Sequence, residues 1–264
     1  IFINCSDDAS DSSGIGGDGG FAEFKMSDLE QSSDSPATDN ELSADDLATL
    51  DEVQKGINKD LIIGVIGNDE AKVEKALADT ADVDSLDPKG ISALMIAAWN
   101  GNLNIVKTLV DHGANIKLTD PKGDTALIFA CIKGHEEVVR FLLEKDPTNI
   151  NEQNQHGRTA LMWACSKGHI PVVKALLEAG ADINLKNKRL NTALILASYF
   201  GHADIVQILV DAGADIDVIN AHGDTALAYA KRAKNEQIIN ILEHQSLGEW
   251  LYSWYAYARG ALGL

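Results

Sequence analysis

GDTALIFACIKGHEEVVRFLLEKD, residues 123–146, decides the fold. It holds two short helical patterns. The first, TALIFACIKG, opens on a Thr able to cap a helix and ends on a Gly suited to a left-handed stop. The second, EEVVRFLLEKD, places Val138, Val139, Leu142 and Leu143 on one face of an amphipathic helix. Two helices this short cannot bury that face by themselves, and the chain meets the problem by repetition. ISALMIAAWNGNLNIVKTLVDHGANI starts at Ile91, GRTALMWACSKGHIPVVKALLEAGADIN at Gly157, NTALILASYFGHADIVQILVDAGADID at Asn191 and GDTALAYAKRAKNEQIINILEHQ at Gly223. The capping Ser or Thr falls at Ser92, Thr125, Thr159, Thr192 and Thr225, in steps of 33, 34, 33 and 33 residues. The extra residue lies in EKDPTNIN, where a loop insertion costs little. Stacked units bury their apolar faces jointly and give a one-dimensional core.

The recurring G-x-T-A-L, G-H, V-V-x-x-L-L and G-A-D-I-N resemble the ankyrin repeat family over roughly residues 58–245. A sixth, degenerate unit, LIIGVIGNDEAKVEKALADTADVD, precedes the five and has no G-x-T opening, as suits an N-terminal cap. The resemblance implies an all-α, ankyrin-repeat solenoid of stacked helix-turn-helix units with loop or β-turn fingers, here followed by a C-terminal amphipathic helix. The chain departs from the family pattern in three places. The usual T-P-L-H is T-A-L-Met or T-A-L-Ile (Met95, Ile128, Met162, Ile195), so the family's loop-tying His is missing and packing is expected to hold the fingers more than hydrogen bonds. Leu190 stands where other units have Gly; positive φ there would strain it by about 1–2 kcal/mol. The last unit carries Lys231-Arg232-Ala233-Lys234-Asn235 in place of a small residue and Gly.

The expected organisation has three parts. Residues 1–42 form an acidic arm, rich in Ser, Asp and Gly and too poor in apolar residues to order itself, with a small apolar island, FAEFKM. Residues 43–245 form the repeat domain, whose first part, 43–88, is an N-terminal helix capped by Ser43 plus the degenerate unit. Residues 246–264, ending in GEWLYSWYAYARGALGL, form an aromatic helix. Leu247, Trp250, Leu251, Trp254 and Tyr257 fall on one stripe of it, with Tyr252 and Tyr255 off the stripe. The stripe suits a cap on the last repeat. The remaining tyrosines suit a second buried surface, against a stable partner or a membrane interface.

The charge is −18 overall, with −13 in residues 1–52 and −5 in residues 53–264. An acidic chain gains nothing from phosphate neutralisation, so nucleic acid is not an expected partner. Three cysteines, Cys5, Cys131 and Cys165, are too few and too odd in number for a disulfide scaffold and fit a reducing compartment. Cytoplasm or nucleus is the first expectation. A plastid or other organelle after transit-peptide removal is the alternative, since Ile1 in place of Met fits a processed or a truncated start. His135, His169 and His202 occupy one repeat position, so successive imidazoles lie about 10 Å apart, too far to share a metal at bond lengths of about 2 Å. Cys131 and Cys165 are equivalent positions too, and read as buried, inert thiols. No catalytic constellation, cofactor motif or small-molecule site stands out. The expectation is a non-enzyme with no cofactor and no metal.

In the family, the concave face and finger tips bind other proteins. Transferred by position, the resemblance nominates Trp99, Asn100, Ile132, Lys133, Lys167, Tyr199, Phe200 and Arg232 at the ends of the inner helices, and Lys122, Arg158 and Arg189 on the fingers. Trp99, Ile132, Tyr199 and Phe200 are large apolar groups at positions expected to face solvent, and the surface is locally basic. The implied partner is a protein with acidic and apolar segments, and the implied role an adaptor or scaffold. The acidic arm, through FAEFKM, is a candidate internal competitor for that surface. The alternative role is a structural subunit of a larger, membrane-associated or plastid assembly. It would dock through Trp250, Tyr252, Trp254 and Tyr255.

Overall fold

A computed structural model describes the backbone of residues 44–244 and the side chains of residues 52–244. The chain divides into two units, 1–54 and 55–264. The described part of the first is helical from residue 44 on, the opening of α1 (Ala44–Ile66). The arm, Ser43 and the C-terminal aromatic segment lie outside the described residues, and with them the readings placed there.

The second unit is a double row of short helices. The inner row is α3 (Ala93–Asn100), α5 (Ala126–Lys133), α7 (Ala160–Lys167), α9 (Ala193–Phe200) and α11 (Ala226–Ala233). The outer row is α2 (Glu70–Ala78), α4 (Leu103–Asp111), α6 (Glu136–Lys145), α8 (Ile170–Glu178) and α10 (Ala203–Asp211), and the chain is helical again over 236–244. Each inner helix packs on the next, outer helices α2 to α10 do likewise, and each repeat's pair packs together. Among the described residues no β-strand occurs, only the isolated bridges Leu86–Ser92 and Thr119–Thr125.

Helices of eight residues are unstable alone, so burial has to hold them. In α5, every residue from Ala126 to Ile132 is buried. Ala97, Ala130, Ala164, Ala197 and Ala230 recur at one position, each fully buried, and their small side chains let neighbouring inner helices approach closely. On the outer row only one face is buried: Val138, Val139, Leu142 and Leu143 in α6 and Val172, Val173 and Leu176 in α8. Each such side chain contributes about 1.5–3 kcal/mol relative to exposure.

Local chemistry sets the helix ends. The side-chain oxygens of Ser92, Thr125, Thr159, Thr192 and Thr225 each accept the backbone N–H three residues on, at 3.2–3.4 Å. Inner helices end at Gly101, Gly134, Gly168 and Gly201, all with φ between 76° and 80°. These glycines serve a second need. A Cβ on Gly134 would lie 2.6 Å from Nδ1 of His169, and one on Gly101 would lie 2.4 Å from the ring of His135. Each imidazole Nε2 faces a carbonyl of the preceding repeat: His135 to Trp99 at 2.9 Å, His169 to Ile132 at 2.9 Å, His202 to Ser166 at 3.2 Å. A carbonyl only accepts, so Nε2 carries the proton. Asn100 ties the degenerate first unit in a similar way, its amide donating to the carbonyl of Val65 at 3.0 Å.

The fingers correct one expectation. Hydrogen bonds hold them despite the missing His. Each finger begins with an Asp or Asn (Asp87, Asp120, Asn154, Asn187, Asn220), whose Oδ1 accepts the backbone N–H groups two and four residues on, at 2.8–3.0 Å. Backbone bonds then link finger to finger: Gln155 N to Lys122 O at 2.8 Å, Lys188 N to His156 O at 3.0 Å and Ala221 N to Arg189 O at 2.9 Å. Buried amides reinforce them, with Asn154 donating to Asp124 and Asn220 to Asn191, both at 2.8 Å. Leu190 has φ of 59° where Gly90, Gly123, Gly157 and Gly223 have 74–81°, so the strained turn is real. Lys234, with φ of 54°, takes the last Gly stop. The extra residue of EKDPTNIN is absorbed in a 3-10 turn, Pro147–Asn151, capped by Asp146.

Candidate protein-binding surface

The last two residues of each inner helix form two rows across the stack. One row is Trp99, Ile132, Ser166, Tyr199 and Arg232; the other is Asn100, Lys133, Lys167, Phe200 and Ala233. The expected positions do not behave alike.

Ile132 is a correction. It is 6% exposed, so it is core rather than contact surface. Trp99 lies edge-on to Phe129 at 6.0 Å and beneath the Lys133 ammonium at 4.1 Å, and Ile132 is enclosed at the same end of α5. Arg158 is a second correction. It is 7% exposed, with its guanidinium 4.5 Å from the centroid of the Trp163 ring, so it braces the stack from within. Trp163 and Phe129 are buried.

Other nominated residues reach the surface. Tyr199 is 43% exposed and Phe200 45% exposed. Their rings meet edge-on at 5.0 Å, and Tyr199 meets Tyr229 edge-on at 5.2 Å. Tyr229 escaped the sequence reading; its signal was its alignment with Phe129 and Trp163. Its hydroxyl accepts from Asn220 at 3.0 Å, which fixes the ring. Lys133, Lys167 and Arg189 are exposed, and Trp99, Asn100 and Lys122 half-buried. Arg232 is exposed and grips Asp224 through both guanidinium nitrogens, at 2.8 and 3.2 Å. Trp250, Tyr252, Trp254 and Tyr255 lie outside the described residues.

Charge is sorted between the rows. The inner helices, ALMIAAWN, ALIFACIK, ALMWACSK, ALILASYF and ALAYAKRA, contain no Asp or Glu and four basic residues, Lys133, Lys167, Lys231 and Arg232. The outer helices carry the acids, among them Glu136, Glu137, Glu178, Asp204 and Asp211. A basic, aromatic face thus stands on a chain of net charge −18.

Burial pushes both Cys131 and Cys165 thiols far above the usual cysteine range, which leaves them protonated and unreactive. No cluster of three or more His, Cys, Asp or Glu with metal-binding geometry occurs among the described residues. No described helix is long and apolar enough to cross a membrane.

Sequence profiles of ankyrin repeats match residues 53–120, 94–187 and 176–230, a span covering most of the chain. The chain belongs to the ankyrin repeat family. Ankyrin repeats are generally protein-protein interaction modules, typically without enzymatic activity. No curated protein matched this ankyrin chain.

Proposed function

We propose that this ankyrin-repeat protein is a non-catalytic adaptor or scaffold that seats a partner protein on the ends of its inner helices and on the neighbouring fingers. The observation that carries the reading is the exposed Tyr199–Phe200 pair, set on a row of helices that bear only positive charge. Large aromatic groups on a rigid, preorganised surface are the usual energetic anchors of an interface. The surrounding Lys133, Lys167 and Arg189 favour a partner segment that carries carboxylates as well as apolar groups.

Site-specific photo-cross-linking tests this reading. A benzophenone side chain placed at Phe200 in the full chain is expected to form adducts with partner proteins, while the same group at Lys174 on the outer row is not. Adducts from position 174 with none from position 200 would overturn it.

A further inference from the structure

The row Asn100, Lys133, Lys167, Phe200, Ala233 runs across the stack with one residue per repeat. Packed helices stand about 8–10 Å apart. A polyproline II chain has three residues per turn and rises about 3.1 Å per residue, so residues three apart share a face and stand about one repeat apart. The surface therefore presents cation, cation, aromatic at a spacing that one face of a polyproline II peptide matches at every third residue.

From this register we infer that the partner segment is a peptide in the polyproline II conformation, with an apolar anchor at one position and carboxylates three and six residues away. The inference rests on the protein-binding reading of the same face. The anchor, a Phe, Leu or Trp, lies against Phe200 and Tyr199, and Tyr229 meets the Tyr199 ring edge-on. The nearer carboxylate meets Lys167 and the farther one Lys133.

Three observations favour this occupant. Lys133 and Lys167 are exposed and have no ion pair among the described residues, whereas Lys231 pairs with Glu243 and Arg232 with Asp224. Both ammonium groups rest on aromatic faces, Lys133 at 4.1 Å from Trp99 and Lys167 at 5.9 Å from Trp163. Such contacts restrict the side chains beforehand, which lowers the entropy lost on binding, and leave N–H donors for a carboxylate. Finally, no inner helix carries an acid that would repel the peptide or compete for the lysines.

Fluorescence anisotropy on the full chain tests the register. The probes are labelled Gly/Ser peptides carrying one Phe and two Glu. In the first pair the Phe and the Glu residues stand at every third position, in either chain order. In the control the three are contiguous, with identical composition. One spaced peptide is expected to bind at least about tenfold more tightly than the control, a difference of about 1.4 kcal/mol. Its affinity should fall as salt rises from about 0.01 M to 0.15 M. Phe200→Ser and the pair Lys133→Glu with Lys167→Glu should each remove the preference. The doubly acidic variant should instead prefer a spaced peptide with Lys in place of Glu, a rescue that a misfolded variant cannot show. Equal binding of spaced and contiguous peptides, or binding of neither, overturns the inference. If the same variants still lose natural partners in affinity capture, the protein-binding reading survives that failure; if they lose none, both fall.

Discussion

Nε2 of His169 lies 2.9 Å from the backbone carbonyl oxygen of Ile132, a full repeat away, and its ring covers Gly134, the residue that ends α5. The Gly-His pair is thus a joint between repeats. His169→Ala leaves that carbonyl short of its donor and is expected to lower stability by about 1–3 kcal/mol. Gly134→Ala places a methyl in the imidazole and an L side chain at φ of 80°, and is expected to cost at least as much. Urea unfolding followed by circular dichroism measures both.

Leu190 offers the opposite sign. Its φ of 59° is natural for Gly, and nearly half of its surface is exposed, so little burial is lost on truncation. Relief of the left-handed strain, less the chain entropy that Gly adds, should make Leu190→Gly more stable by about 0.5–1 kcal/mol. A higher urea midpoint with unchanged slope is the expected result. A lower midpoint would show that the Leu190 side chain makes contacts worth more than the strain.

Asn154 joins two functions in one side chain. Its Oδ1 accepts from the backbone N–H groups of His156 and Arg158, and its amide donates to buried Asp124 on the previous finger. Asn154→Ala leaves buried groups unpaired on two fingers and is expected to cost about 2–3 kcal/mol. Hydrogen exchange should quicken at Gln155 and Lys188, whose backbone N–H groups bridge neighbouring fingers.

The buried thiols set an alkaline limit. In the fold Cys131 and Cys165 keep their protons well above the usual range, while in the unfolded chain they ionise near pH 8.5. The unfolded state therefore binds fewer protons above that pH. The stability is fully present below about 8.5 and falls as pH rises beyond it. In native protein at pH 8, iodoacetamide should leave Cys131 and Cys165 unmodified; in urea both should react, as read by peptide mass spectrometry.

The repeats were legible because one period fixes caps, glycine stops and apolar faces together. Thr125, Gly134 and the Val138–Leu143 face each point to one local structure, a cap, a stop and a buried face, and each recurs. The fingers were misjudged because the sequence was searched for a missing His. Asp87, Asp120, Asn154, Asn187 and Asn220 recur with the same period and supply the hydrogen bonds. Exposure was the harder quantity. Ile132 and Tyr199 share a repeat position, yet one is buried and the other is not. What differs is the neighbour: Trp99 closes over α5, whereas Tyr199 meets Phe200 and Tyr229 at an open surface. Arg158 was read as part of the basic contact surface because its stacking partner, Trp163, belongs to a helix rather than to the finger. Such pairings arise from packing between elements, which position within a single repeat does not encode.

Quantitative affinity capture tests the central claim most directly. The full chain, a Tyr199→Ser/Phe200→Ser variant and an outer-row Glu137→Lys/Lys174→Glu variant are compared for the proteins each retains at matched concentration, with folding checked by thermal melts. The account predicts that the inner-face variant still melts cooperatively, at a somewhat lower temperature because the Tyr199 contacts are lost, but loses its partners by about tenfold or more, while the outer-row variant keeps them. Undiminished capture by the folded Tyr199→Ser/Phe200→Ser variant would contradict it.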